Sequence, residues 1–129
     1  MKGADTMPTT AVMKEALLNY IRYFNAKDLP ALLALYADEA TIEDPYGRSF
    51  IQGREAIDAM YGRALGGETW LEQVLPPRAS FTNAATISFI VHMGQTKIHV
   101  TDVMTFDEAG RFTSMRAYWG PDDQEPEDE

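Results

Sequence analysis

Apolar positions in the first half of the chain recur at helical spacing, and in the second half they alternate. Met13, Leu17, Tyr20, Ile21 and Phe24 share one helical face, and Thr9 or Thr10 is placed to cap that helix. Tyr20 therefore points inward, whereas Asn19 and Arg22 point elsewhere. Asp28-Leu29-Pro30 starts a second helix with a capping acid and an early proline. Its pattern runs through Leu32, Leu33 and Tyr36 and ends at Ala37-Asp38-Glu39. A third helix is expected from Arg54 to Leu65, with Ile57, Met60, Tyr61 and Ala64 on one face and Gly66-Gly67 as its stop. Residues 1–8 read as a loose start.

Period-two stretches carry the rest. Ala40, Ile42 and Asp44 share a strand face that persists to Asp44, because the residue before a proline is pushed to extended geometry. Strands follow over Trp70–Leu75, Ala85–Met93, Lys97–Phe106 and Arg111–Trp119, with a brief pairing at Ala79–Phe81. Gly94-Gln95-Thr96 and Glu108-Ala109-Gly110 are turns between consecutive strands. Three helices followed by hairpin-linked strands make an α+β domain, with helices on one side of a curved, mostly antiparallel sheet. The concave face needs filling, either by helical side chains or by a ligand.

The stretch Lys97–Phe106 carries the chemical signal. Ile98, Val100, Asp102, Met104 and Phe106 share one face, and His99, Thr101, Val103 and Thr105 the other. An ionised carboxylate in the middle of an apolar face needs a partner or protonates. The plainer alternatives are a wet face or an ion pair between Asp102 and an arginine such as Arg116. Asp44 is a second carboxyl on an apolar strand face, here at a strand end beside Pro45-Tyr46-Gly47, although Asp-Pro is also a common turn starter. Tyr20 and Tyr61 each read alone as core tyrosines. Together, two acids and two tyrosines from separate elements converge on one interior. Convergent polar groups among apolar walls are the default signature of a site. At a wet strand end Asp44 can stay ionised and act as a base. Asp102, desolvated, is expected to be neutral and to donate a hydrogen bond beside a tyrosine hydroxyl. A base facing two donors suits proton abstraction next to a carbonyl.

Composition narrows the alternatives. At 129 residues and 45% apolar content the chain makes one domain with one core. There is no cysteine, and His92 and His99 lack metal-ligand spacing, so no metal is expected. The net charge of −9 argues against nucleic acid or an anionic membrane as partner. No apolar run approaches membrane-spanning length and no leader pattern opens the chain, so a cytoplasmic location is the default. Pro121 to Glu129 holds six acids and no base; without it 14 acids face 11 bases. A domain over residues 1–120 with a solvated, disordered acidic extension over 121–129 is the expectation.

The run Leu35 to Gly47, containing YADEATIEDPYG, resembles the bacterial delta-5-3-ketosteroid isomerases. So do Tyr20-Ile21, Gly53-Arg54-Glu55, Thr101 to Arg111 and Ala117-Tyr118-Trp119. The resemblance covers residues from about 15 to 120. It implies a conical fold of the nuclear transport factor 2-like, cystatin-like kind, a homodimer and no cofactor. It implies that Asp44 moves a proton from C4 to C6 of a 3-oxo-delta-5-steroid while Tyr20 and Asp102 donate to the 3-oxygen. Tyr61 and Tyr36 match supporting tyrosines, and Phe89, Val91, Met115, Ala117 and Trp119 match apolar wall positions. The hairpin between Met93 and Val100 is about four residues shorter than in well-known members, which bears on the pocket mouth. The same cone also serves dehydratases, epoxide hydrolases, cyclases and non-catalytic binding or dimerisation modules, so the fold by itself does not decide the function.

Overall fold

The computed structural model describes residues 7–128, so most of the loose start expected over residues 1–8 lies outside them. Helix α1 (Thr10–Asn25) begins where the Thr9 hydroxyl accepts the Val12 amide at 3.1 Å. It ends in a left-handed Lys27 (φ 60°), whose amide and that of Asp28 bond back to Phe24 and Tyr23. Its buried stripe is Met13, Ala16, Leu17, Tyr20, Ile21 and Phe24, the face that the apolar spacing defines. Helix α2 (Leu29–Ala34) is a single short piece capped by the Asp28 side chain, and α3 spans Arg54–Ala64.

The eight strands are β1 (Tyr36–Glu43), β2 (Phe50–Gln52), β3 (Trp70–Gln73), β4 (Arg78–Ala79), β5 (Ala84–His92), β6 (Thr96–Phe106), β7 (Phe112–Tyr118) and β8 (Gln124–Pro126). They form one sheet in the order β2-β1-β7-β6-β5-β3, with β4 added on β5 and β8 on β6. All pairings are antiparallel except β1 with β7. The helices pack on this mixed, open sheet as the α+β cone that the sequence implied.

Two expectations are corrected here. The second helix does not run through Tyr36 to Ala37-Asp38-Glu39; it stops at Ala34, and Tyr36 opens β1. The Leu35 carbonyl accepts the Phe112 amide at 2.7 Å and Tyr36 pairs with Phe112, so a parallel ladder outcompetes one more helical turn. Arg54 fixes the junction by donating to the carbonyls of Leu33 (3.0 Å) and Tyr36 (2.6 Å). The acidic terminus is the second. Residues 121–126 form a 3₁₀ turn and then β8, paired with Thr96–Ile98. Composition favoured solvation, but basic groups on the neighbouring hairpin give the acids local partners.

The core has an aromatic floor. Phe112 is packed edge-on by Tyr36 (5.0 Å between centroids), Phe106 (5.3 Å) and Tyr20 (6.3 Å). Edge-to-face packing of this kind fixes ring orientation as well as burying area. It holds two tyrosine rings at defined angles beneath the cavity.

Candidate active site

Asp44 is placed by the ladder that leads into it. Ile42 and Glu43 pair with Met115 and Arg116, and just past the strand the Tyr46 amide donates to the Ala117 carbonyl at 2.8 Å. The intervening turn is closed by the Asp44 amide on the Ser49 carbonyl at 3.1 Å. Asp44 thus stands at the end of β1, beside the end of β7. There the indole N–H of Trp119 donates to its Oδ1 at 2.8 Å. Neighbouring walls push its carboxyl above the usual aspartate value, and the Trp119 bond opposes that rise. The residue keeps an exposed surface, so water also limits the rise.

Asp102 lies in the middle of β6, between Ile87 of β5 and Ala117 of β7. It is 1% exposed, and neither carboxyl oxygen has a hydrogen-bond partner among the described residues. Arg116, the candidate partner, instead reaches Glu43 at 3.3 Å. Burial drives the Asp102 carboxyl well above its usual range, and the Asp44 charge adds to the effect. Burial of that kind favours the neutral acid, which carries an O–H to give away.

The tyrosines form a chain. The hydroxyls of Tyr36 and Tyr61 are 2.6 Å apart, and Tyr61 donates to Tyr20 at 3.3 Å. Because Tyr61 donates to the Tyr20 oxygen, the proton of Tyr20 is left for another acceptor. Burial is the main reason all three hydroxyls resist ionisation. A chain of this polarity strengthens its terminal donor.

Tyr20, Tyr61, Asp44 and Asp102 all line one cavity of about 380 Å³, within the range of roughly 300–1,000 Å³ typical of small-molecule sites. Phe89, Val91 and Trp119 line it as expected. Met115 and Ala117 do not: both are buried in the sheet, next to Ile42 and Asp102 respectively. Tyr36 lies behind Tyr61 rather than on the wall. The remaining wall comes from Phe24, Met60, Ala64, Thr69, Leu71, Met93, Ile98 and Val100. Of these, Phe24, Met60, Ala64, Ile98 and Val100 occupied inward-facing positions in the sequence pattern without being singled out. Among the described residues, no cluster of three His, Asp or Glu side chains is arranged to hold a metal ion, and no helix is long and apolar enough to cross a membrane.

A helix-backed cone enclosing a cavity defines a class of fold, and similarity to known proteins identifies it. A family model described as SnoaL-like domain matches residues 17–115. The chain belongs to this SnoaL-like family, which has the nuclear transport factor 2-like fold. Steroid Delta-isomerase from Nocardioides simplex is 41% identical over 118 residues, covering 88% of this chain and 94% of that protein. Epoxide hydrolase LasB from Streptomyces lasalocidi is 31% identical over 125 residues, covering 91% of this chain and 44% of that longer protein. Among solved structures, the epoxide hydrolase/cyclase-like enzyme SalBIII, which has a role in pyran ring formation in salinomycin, matches with a TM-score of 0.83 at 26% identity. That match covers 89% of this chain and 95% of the SalBIII chain.

Proposed function

We propose that the protein is a steroid delta-isomerase that converts 3-oxo-delta-5-steroids to 3-oxo-delta-4-steroids, working as a homodimer without a cofactor. The observation that carries this reading is Asp102, a buried acid with no hydrogen-bond partner among the described residues, sharing a cavity with an exposed-side carboxylate and a tyrosine donor. The cavity walls are otherwise mostly apolar, which suits a flat hydrocarbon ring system.

The chemistry runs as two proton transfers. Asp44 removes a proton from C4, and the C–H electron pair moves into the ring to give a dienolate. Negative charge then develops on the 3-oxygen, where Tyr20 and Asp102 donate hydrogen bonds. These donors are held by packing, so they do not have to reorganise as the charge appears. Protonated Asp44 returns the proton at C6, the double bond comes into conjugation with the ketone, and Asp44 is ionised again. No atom is gained or lost.

Ultraviolet absorbance on mixing with 5-androstene-3,17-dione tests this directly. A conjugated-enone band should grow in, and Asp44→Asn should slow it by about 10²–10⁴-fold. Folded wild-type protein that is no faster than buffer would overturn the proposal.

A second reading has its own support in the LasB and SalBIII similarities. In it Asp102 protonates an epoxide oxygen while Asp44 activates the attacking hydroxyl or water. Turnover of a hydroxy-epoxide with no ketone isomerisation would favour it. Ligand binding that survives Asp44→Asn, with no turnover of either substrate, would instead indicate a non-catalytic module.

A further inference from the structure

Between the last pairing of β7 with β6 (Tyr118 with Thr101) and the first of β8 (Gln124 with Ile98), five residues, 119–123, stand opposite two. The chain leaves the ladder for one loop and returns to the same side of β6. The Gly120 amide donates to Asp123 Oδ2 at 2.8 Å, and the Asp123 amide donates to the Gly120 carbonyl at 3.0 Å, closing the loop. Trp119 is the first residue of this loop, and it lines both the cavity and a second cleft beside Pro45 and Tyr46.

Charge pairs join the backbone ladder in returning the chain to β6. Strand β8 has three residues, all exposed, so burial does little to hold it. Instead three basic side chains on the β5–β6 hairpin each take an acid. His92 pairs with Glu127, His99 with Glu125 at 2.6 Å, and Lys97 with Asp128 at 3.3 Å. The Glu127 amide adds a bond to the Gln95 carbonyl at 2.9 Å. The hairpin thus gripped also supplies Met93 and Ile98 to the cavity wall.

We infer that the acidic C-terminal strap, residues 120–128, is a positioning element for Asp44 that acts through Trp119. A strand end with nothing beyond it frays. Without the strap Trp119 would sit one residue past such an end, and its bond to Asp44 would be made part of the time. The strap fixes the far side of the loop, so the indole N–H stays on Oδ1. The inference rests on the proposed isomerase only in treating Asp44 as the base.

The test compares wild type with a chain ended at Gly120 and with full-length E125Q/E127Q/D128N. The readouts are the Asp44 carboxyl titration by carbon-13 NMR, the Trp119 indole N–H resonance, and kcat against pH with 5-androstene-3,17-dione. Both variants should raise the Asp44 midpoint by about one pH unit and broaden or shift the indole resonance. At pH values below the midpoint, kcat should then fall about tenfold with KM little changed. If the shortened chain does not fold, the charge-neutralised variant decides. An Asp44 midpoint and indole resonance unchanged in folded variants would overturn the inference. If the ketone is not a substrate at all, the Asp44 titration still reports on the strap, so the two failures are separable.

Discussion

Trp119 donates its indole N–H to Asp44 Oδ1 at 2.8 Å, and this bond joins the wall of the cavity to its base. The family resemblance marked Trp119 as an apolar wall. In the structure its ring is wall and its nitrogen is a hydrogen-bond donor to a carboxylate. That bond favours the ionised form of Asp44, against the desolvation that disfavours it.

Trp119→Phe keeps the ring surface and removes the donor. The Asp44 carboxyl, already raised, should rise further, so the acid limb of the pH–rate profile moves to higher pH. The loss is greatest at low pH, where the base is protonated, and fades as pH rises above the new midpoint. A profile of kcat from about pH 4 to 8 checks the sign.

Asp102→Leu should separate stability from activity. The wild-type acid is buried with both oxygens unpartnered among the described residues, a state that costs about 1–3 kcal/mol. Replacing it should stabilise the fold in urea unfolding while cutting kcat by about 10²–10³. The pH dependence has a definite sign. The folded-state value of Asp102 lies well above its unfolded value, so wild type loses stability as pH rises from about 4 towards the folded-state value. The advantage of Asp102→Leu should therefore be smallest below about pH 4 and grow with pH. An advantage that shrank as pH rose would mean that Asp102 is stabilised as an anion.

Tyr20→Phe and Tyr61→Phe should differ in kind. Tyr20 borders the cavity and in the proposed mechanism donates a hydrogen bond to the ligand oxygen, so its loss should cost about 10²–10³ in kcat. Tyr61 acts by donating to Tyr20, and the Tyr36 hydroxyl behind it remains. Its loss should cost less and should weaken the binding of a phenolic steroid in proportion. Equal losses would contradict the direction of the hydroxyl chain.

His92 has a carboxylate at each ring nitrogen, Glu72 at Nε2 (2.8 Å) and Glu127 at Nδ1, and it stacks on Trp70 at 4.3 Å. Both nitrogens must donate, so the ring is an imidazolium, and the flanking acids raise its value despite burial. Its contribution to stability is full below its unfolded value near 6.5 and is lost as pH rises through the higher folded value. The melting temperature should fall across that window, and His92→Gln should flatten the fall.

Much of this site was legible in the sequence because periodicity assigns faces. Helical spacing turned Tyr20 and Tyr61 inward, and alternation put Asp102 among Ile98, Val100 and Met104. Periodicity does not say what an inward face meets. Met115 and Ala117 face inward on β7 but are sealed within the sheet, whereas Met60 and Ala64 on α3 reach the cavity. Tyr36 was misplaced in a helix because its strand depends on a parallel partner about 75 residues away. The terminal strap was invisible for a related reason: its acids are balanced by His92, Lys97 and His99, which composition counts but does not position.

In the proposed mechanism two carboxyls in one small cavity hold opposite charge states at neutral pH. Carbon-13 NMR of aspartate side chains, with Asp44→Asn and Asp102→Asn to assign the signals, measures this most directly. At pH 7 the Asp102 carboxyl should resonate as the protonated acid and the Asp44 carboxyl as the anion. Two anions at that pH would contradict the assignment of donor and base.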